Sequence, residues 1–146
     1  MPRTRRRPTQ IALATVDSVV AVTALGGGAM LALGFEDDRF PAAWLTGTPF
    51  RSYAIPGLIL AGAVGGSAVA AAAASVRSLR AGGLASVISG SVLLGWIAGG
   101  VAILSRRRPE IVSPMELLYL ATGMATIGLG LRAQRASRVT PERGRR

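Results

Sequence analysis

The sequence predicts an all-α protein, a bundle of four transmembrane helices with both termini in the cytoplasm. Half of the 146 residues are hydrophobic and only 16% are charged, whereas soluble globular proteins average about 25% charged residues. The charged residues are also segregated, because four nearly uncharged stretches divide the chain. Each is long enough, at about 1.5 Å per residue, to cross about 30 Å of hydrocarbon. The predicted spans are residues 11–34, 56–76, 83–104 and 114–131.

The first predicted span follows a basic amino terminus, residues 1–10, "MPRTRRRPTQ". A charged opening before an apolar run also suggests a cleaved signal peptide, and Ala32-Leu33-Gly34 offers small residues at about the spacing of a cleavage site. The apolar run is longer than a typical signal core of about 7–15 residues, and Asp17 interrupts it. We therefore expect a retained span.

Residues 35–55 form the predicted outer loop, which is rich in aromatic residues and proline. Trp and Tyr favour the headgroup layer because an apolar ring carries a polar tip, so we expect this loop to lie at the membrane surface. Four aromatic side chains are candidates for an outer vestibule or a lid over it, and for Trp96 and Tyr119 packing between helices is the alternative. They are Trp44, Tyr53, Trp96 and Tyr119.

Small residues recur every four positions along the second and third predicted helices. This spacing is typical of close helix packing in membranes, although a bias in codon usage would also enrich glycine and alanine. The second helix is predicted to begin at Pro56, and the short connection "SVRSLRAGG" predicts a tight hairpin with the third. The glycines predicted to pack are Gly62, Gly66, Gly90, Gly95 and Gly99.

The fourth helix has a chemical start signal in "SPMELLYL". Ser113 is a predicted N-cap, Pro114 suits the first helical position, and Glu116 completes a capping box. Residues 132–146 then form a basic tail, which we expect to lie on anionic lipid or to bind a cytoplasmic partner.

The distribution of arginine predicts the orientation. If the four spans alternate, twelve of the 17 basic residues lie on the side of the two termini and five on the other side. The positive-inside rule then places both termini in the cytoplasm. We expect a bacterial plasma-membrane protein whose arginines contact anionic headgroups, and we do not expect nucleic-acid binding despite the net charge of +10.

Asp17 is the candidate intramembrane polar site. A carboxylate inside a span is costly unless it is paired, and Asp17 shares one helical stripe with Ala21, Ala24 and Gly28. We therefore expect Asp17 to face the bundle. Its predicted partners are a hydroxyl, Ser86 or Ser89, or an arginine, Arg80 or Arg132.

The sequence lacks the residues that several classes of chemistry require. The chain has no Cys and no His, which excludes disulfides, thiolate metal sites and haem held by histidines. No nucleophile with a base, metal-ligand cluster or phosphate-binding loop is present, so we expect no catalytic, cofactor or metal site.

The outer loop carries a resemblance. "PAAWLTGTPFRSYAIPGLIL", followed by "GGSAVAAAAA" and "LLGWIAGG", resembles small four-span membrane proteins common in actinobacteria. The DoxX-type four-helix membrane proteins are similar only in helix number and size. The resemblance implies a location and an architecture, without site residues.

The sequence favours a non-enzymatic integral membrane protein, a structural or accessory subunit of a membrane complex or a homo-oligomer. The alternative is a small proton- or cation-coupled transporter or channel that uses Asp17.

Overall fold

The computed structural model describes residues 3–35, 41–104 and 114–138. Regular structure in these ranges is helical throughout, which confirms the predicted all-α class. Four long helices and one short 3-10 helix are present there. The long helices are α1 (Arg3–Ala32), α2 (Ala54–Arg77), α3 (Leu79–Leu104) and α4 (Pro114–Arg138), and the 3-10 helix is Ala42–Leu45.

Three of the four helices are long and apolar enough to cross a membrane. They are the segments Pro8–Ala32, Ala54–Arg77 and Leu79–Ile103. Among the described residues, α4 does not meet the same criteria of length, hydropathy and charge. The structure therefore indicates a membrane protein with three candidate spans, while the fourth span and the position of the termini remain predictions.

Helix α1 begins earlier than predicted, at Arg3 rather than residue 11. Pro8 lies within it in the second turn, where its missing N–H removes one helical hydrogen bond near the amino-terminal end. At the other end, Gly34 adopts a positive φ of 77°. The N–H of Phe35 donates to the carbonyl of Met30 at 3.0 Å, and that of Gly34 to Leu31 at 3.4 Å, so a Schellman motif terminates α1.

Helix α2 begins at Ala54, two residues before the predicted start at Pro56. The N–H of Gly57 donates to the carbonyl of Tyr53 at 2.8 Å, and Pro56 occupies the first turn, where its missing N–H breaks no helical bond. Residues Leu60–Gly65 form a π-helical segment inside α2, which the sequence pattern did not predict.

The connection between α2 and α3 is shorter than predicted. Only Ser78, in an extended conformation, separates Arg77 from Leu79, so the predicted start of the third helix at residue 83 is wrong. The Ser78 hydroxyl accepts a hydrogen bond from the N–H of Ala81 at 3.0 Å. Ser78 thus caps α3 and allows an immediate reversal of the chain.

Helix α4 begins at Pro114, as predicted, and continues to Arg138 instead of ending at residue 131. Part of the predicted basic tail is therefore helical. Glu116 lies in the first turn, but Ser113 is outside the described residues, so the predicted capping box stays a prediction.

The core lies where α1, α2, α3 and α4 meet. The most extensive packing is between α1 and α2, followed by that between α3 and α4 and then that between α2 and α3. Half-buried Leu60, Trp96 and Tyr119 pack against a cluster of small and branched side chains. The buried members of this cluster are Val20, Ala21, Ala24, Val64, Ala68, Leu93 and Ile97.

Glycines bring the helix backbones into contact at several positions. A Cβ on Gly28 would lie 2.6 Å from the carbonyl oxygen of Gly57, and a Cβ on Gly130 would lie 2.6 Å from that of Gly83. Such distances leave no room for a side chain, which identifies these contacts as sites where only glycine fits. The remaining close glycine positions are Gly65, Gly82, Gly90 and Gly123.

Only one of the five glycines predicted to pack does so against another described residue. A Cβ on Gly90 would lie 2.8 Å from Ile127 of α4. Around Gly62, Gly66, Gly95 and Gly99, a Cβ would meet nothing within 4 Å. Four-residue spacing alone therefore misassigned the inward faces, because it is equally compatible with a face that points out of the bundle.

Candidate intramembrane polar site

Asp17 lies in the middle of α1 and is fully buried, with 0% of its surface exposed. Leu13, Val20, Ala21 and Ala24 share its face and are buried as well. The stripe predicted from helical spacing is thus the face that α1 packs against the bundle. The carboxyl group consequently lies between helices.

One carboxylate oxygen of Asp17 has a partner on α3. The Ser86 hydroxyl donates to Asp17 Oδ2 at 2.6 Å, a length typical of a strong, charge-assisted O–H···O bond. Ser86 was one of the predicted partners. This bond joins α1 to α3 and fixes the rotation of each helix about its own axis.

No hydrogen bond or ion pair to Asp17 is formed by the other predicted partners. Ser89 is buried on α3, but it is Ser86 that bonds the carboxylate. Arg80 and Arg132 are exposed. The predicted pairing of Asp17 with an arginine at the helix ends is therefore not formed among the described residues.

The second carboxylate oxygen, Asp17 Oδ1, is buried and has no hydrogen-bond partner among the described residues. The Ser75 hydroxyl of α2 is in the same situation, with 0% exposure and no partner. Unsatisfied buried polar groups cost about 1–3 kcal/mol each. Two in one small bundle are a feature that requires a physical explanation.

Ser75 packs directly against α3. A Cβ on Gly82 would lie 2.5 Å from both the Cα and the Oγ of Ser75. Gln10 of α1 reaches the same place, since its Nε2 donates to the Ser75 carbonyl at 3.3 Å. Ser75 is thus a meeting point of α1, α2 and α3.

The aromatic residues predicted for a vestibule lie in two settings. Trp96 and Tyr119 pack against the hydrophobic core cluster, which is the alternative that the sequence left open. Trp44 is half-buried in the 3-10 helix, and the Tyr53 hydroxyl donates to the carbonyl of Pro41 at 3.4 Å. In this loop Leu45 is the buried side chain.

The outer loop has an ordered turn next to Leu45. The Thr48 hydroxyl donates to the Leu45 carbonyl at 2.7 Å and accepts from the N–H of Phe50 at 3.2 Å. Gly47 precedes it with a φ of 83°, a left-handed conformation that favours glycine. These bonds set the shape of the loop independently of any ligand.

A shallow groove on the outward face of α1 does not involve Asp17. Its lining residues are Ile11, Ala14, Thr15, Ser18, Val19, Val22 and Thr23.

No known protein family matches this chain. No curated protein and no solved structure matches it either. The resemblance to small actinobacterial membrane proteins and to DoxX-type proteins therefore stays a prediction, and the function has to be argued from the geometry.

Sequence reasoning identified Asp17 and Ser86 but missed Ser75. Ser75 ends an alanine-rich run and carries no charge, so it gives no signal by itself. The burial of its hydroxyl depends on the close packing of α2 against α3 at Gly82, which the sequence does not reveal. Within the described ranges, no three metal-ligating side chains come together.

Proposed function

We propose that the chain is a non-enzymatic plasma-membrane protein, a four-span accessory subunit that binds other membrane helices through its outward faces. The observation that carries this proposal is a pair of Gly-x-x-x-Gly motifs that no described residue of the chain packs against. They are Gly62/Gly66 on α2 and Gly95/Gly99 on α3.

These four glycines are exposed, and a Cβ on any of them would meet open space. Glycine lowers helix stability by about 0.5–1 kcal/mol relative to alanine, so glycines that make no contact give the isolated bundle no compensating packing. In a membrane, this motif lets the backbones of two helices approach closely. A partner helix, from another protein or a second copy, would supply the missing packing.

The buried carboxylate supports an accessory role in a second way. Asp17 is fully enclosed and bonded to Ser86, as expected for an interhelical hydrogen bond that stabilises the packing of two helices. A transport path would place polar groups along an accessible route. Among the described residues, the hydrogen bond between Asp17 and Ser86 lies on the inner faces of the helices and leaves their outer faces free for association.

The packing of α4 supports a fourth span. Gly130 contacts Gly83, and Gly123 contacts Gly90, so α4 runs antiparallel to α3 at a constant offset. Each pair shows which residue of α4 lies opposite which residue of α3. On this pairing, residues 114–131, the apolar part of α4, lie opposite residues 82–99 of α3, inside the candidate span Leu79–Ile103. A helix packed along a membrane-spanning segment in this way shares its depth.

The four-span arrangement can be tested with cysteine, because the chain has none. In intact cells, we expect a membrane-impermeant maleimide to label Thr46→Cys in the loop and to label Thr140→Cys only after permeabilisation. Labelling of Thr140→Cys from outside would mean that α4 does not cross. Failure to label Thr46→Cys from outside would invert the proposed orientation.

The proposed association predicts a selective effect of bulky residues on the outward faces. Gly62→Leu combined with Gly95→Leu should abolish co-purification of a stoichiometric partner or cross-linked homo-oligomer from native membranes, since leucine keeps the backbones apart. Stability of the isolated bundle should change little, because both positions are open.

Gly128→Leu provides the matched control for that experiment. Gly128 is also open but belongs to no Gly-x-x-x-Gly motif. Equal loss of the partner in the control, or an unchanged partner in the double variant, would contradict the proposal.

A small cation-coupled transporter is the second candidate function, and the unpartnered Asp17 Oδ1 favours it. An intramembrane acid can couple binding of a cation to transport. If this is the function, Asp17→Asn should abolish cation-dependent uptake in proteoliposomes while leaving the amount of folded protein unchanged. Uptake that is unaffected by Asp17→Asn would leave only the accessory role.

A further inference from the structure

Two buried side-chain atoms have no hydrogen-bond partner among the described residues, Asp17 Oδ1 and Ser75 Oγ, and they belong to different helices that pack against α3. Ser75 Oγ lies next to Gly82, 2.5 Å from the position of a Cβ there. Asp17 is bonded to Ser86, which follows Gly82 by one helical turn. Side chains four residues apart on a helix have Cβ atoms about 5–6 Å apart, so the two groups lie about one helical turn apart along α3.

A single small occupant can bridge two groups at this spacing. A proton on Asp17 Oδ1 would let the acid donate to the Ser75 hydroxyl at about 2.7 Å, whereas an alkali metal ion would bridge two oxygens about 5–6 Å apart. An occupant between Asp17 Oδ1 and Ser75 Oγ would satisfy both atoms at once. This would remove the cost of about 1–3 kcal/mol that each unsatisfied buried group carries.

The charge of the occupant follows from the surroundings of Asp17. On the elements packed against α1, the charged side chains closest in sequence to the site are Arg77 of α2, Arg80 of α3 and Arg132 of α4, and all three are exposed. The carboxyl group forms no ion pair in the described part of the chain. A buried charge without compensation is strongly unfavourable, so the occupant has to be positive.

The ligand atoms indicate which class of cation the site would bind. The site offers one carboxylate and neutral hydroxyls, and oxygen ligands of this kind suit hard cations. A single negative charge balances a single positive one. The only other acidic residue in the described ranges is Glu116, in the first turn of α4.

We propose that Asp17 and Ser75 form a buried site for one monovalent cation, either a proton or an alkali metal ion. Asp17 Oδ1 supplies the negative charge and the Ser75 hydroxyl an oxygen ligand, while Ser86 positions the carboxylate through Oδ2. The site goes beyond the accessory role proposed above and does not depend on it, since it uses the inner faces of the helices only.

The composition of the chain allows a direct test. It has three aspartates, Asp17, Asp37 and Asp38, so Asp37→Asn with Asp38→Asn leaves Asp17 as the only one. The full-length variant, labelled with carboxyl-13C aspartate and purified in detergent, gives one NMR signal from the site. This signal would be recorded in sodium, potassium and choline buffers at several pH values.

Two results would support the proposal and distinguish the cations. A signal at the position of a neutral carboxylic acid at neutral pH, unaffected by salt, identifies the proton. An ionised signal that shifts and saturates as sodium or potassium replaces choline identifies the alkali ion. An ionised signal that responds to neither ion overturns the site and leaves the accessory role intact.

Ser75→Ala tests the second ligand. Loss of one oxygen should weaken alkali-ion affinity on the order of tenfold, or shift the resonance of the neutral acid. Ser67→Ala is the control on the same helix, because the Ser67 hydroxyl donates to its own helix at the Val64 carbonyl, at 3.0 Å. If Ser75→Ala and Ser67→Ala give the same spectra, Ser75 is not part of the site.

Discussion

Replacing Gly82 with valine should destabilise the bundle by about 1–3 kcal/mol or more, the range for overpacked interiors. The first added carbon would lie 2.5 Å from the Cα and 2.9 Å from the backbone N of Ser75. Backbone atoms cannot rotate away as a flexible side chain can, so α2 and α3 would have to separate. Because Gly82 is close to the one-residue connection at Ser78, the hairpin has little freedom to accommodate this separation.

Gly95→Val on the same helix is the matched control. It introduces the same side chain at a position where a Cβ meets nothing within 4 Å. Detergent unfolding followed by circular dichroism should show a clear loss of stability for Gly82→Val and a small change for Gly95→Val. Similar midpoints for the two variants would contradict the close contact between α2 and α3.

Replacing Ser86 with alanine should cost about 1–3 kcal/mol. The substitution removes the only hydrogen bond to the Asp17 carboxylate among the described residues and leaves both of its oxygens unsatisfied. In the same unfolding assay, Ser86→Ala in an Asp17→Leu background should cost much less, since the buried carboxylate is then absent. This non-additivity is the signature of a direct interaction.

Ser91→Ala is the control for Ser86→Ala on α3. The Ser91 side chain is exposed, and its hydroxyl donates to the carbonyl of Val87 in its own helix at 2.8 Å. We expect its removal to change stability by a few tenths of a kcal/mol, as is usual at exposed sites. Additive effects of Asp17→Leu and Ser86→Ala would show that the two side chains do not interact.

The sequence predicted the features that depend on hydrophobicity along the chain. The number of helices, the inward face around Asp17 and the partner Ser86 all follow from periodicity and from the cost of a buried charge. The extension of α1 to Arg3 and of α4 to Arg138 did not follow. Arginine is a good helix former, and a helix can continue beyond its apolar segment.

Features that depend on which helices meet could not be predicted. Gly62 and Gly83 are the same residue type in similar surroundings along the chain. A Cβ on Gly83 would nevertheless meet the Gly130 backbone, whereas a Cβ on Gly62 would meet no described residue within 4 Å. The difference is set by the rotation of each helix relative to its neighbours. Ser75 became a candidate ligand for the same reason, since only tertiary packing buries its hydroxyl beside α3.

The one-residue connection at Ser78 also constrains how the protein is made. One residue spans at most about 3.6 Å, so the end of α2 and the start of α3 stay adjacent at every stage of assembly. We therefore expect the two helices to enter the bilayer together, as one hairpin with Arg77 and Arg80 at its tip.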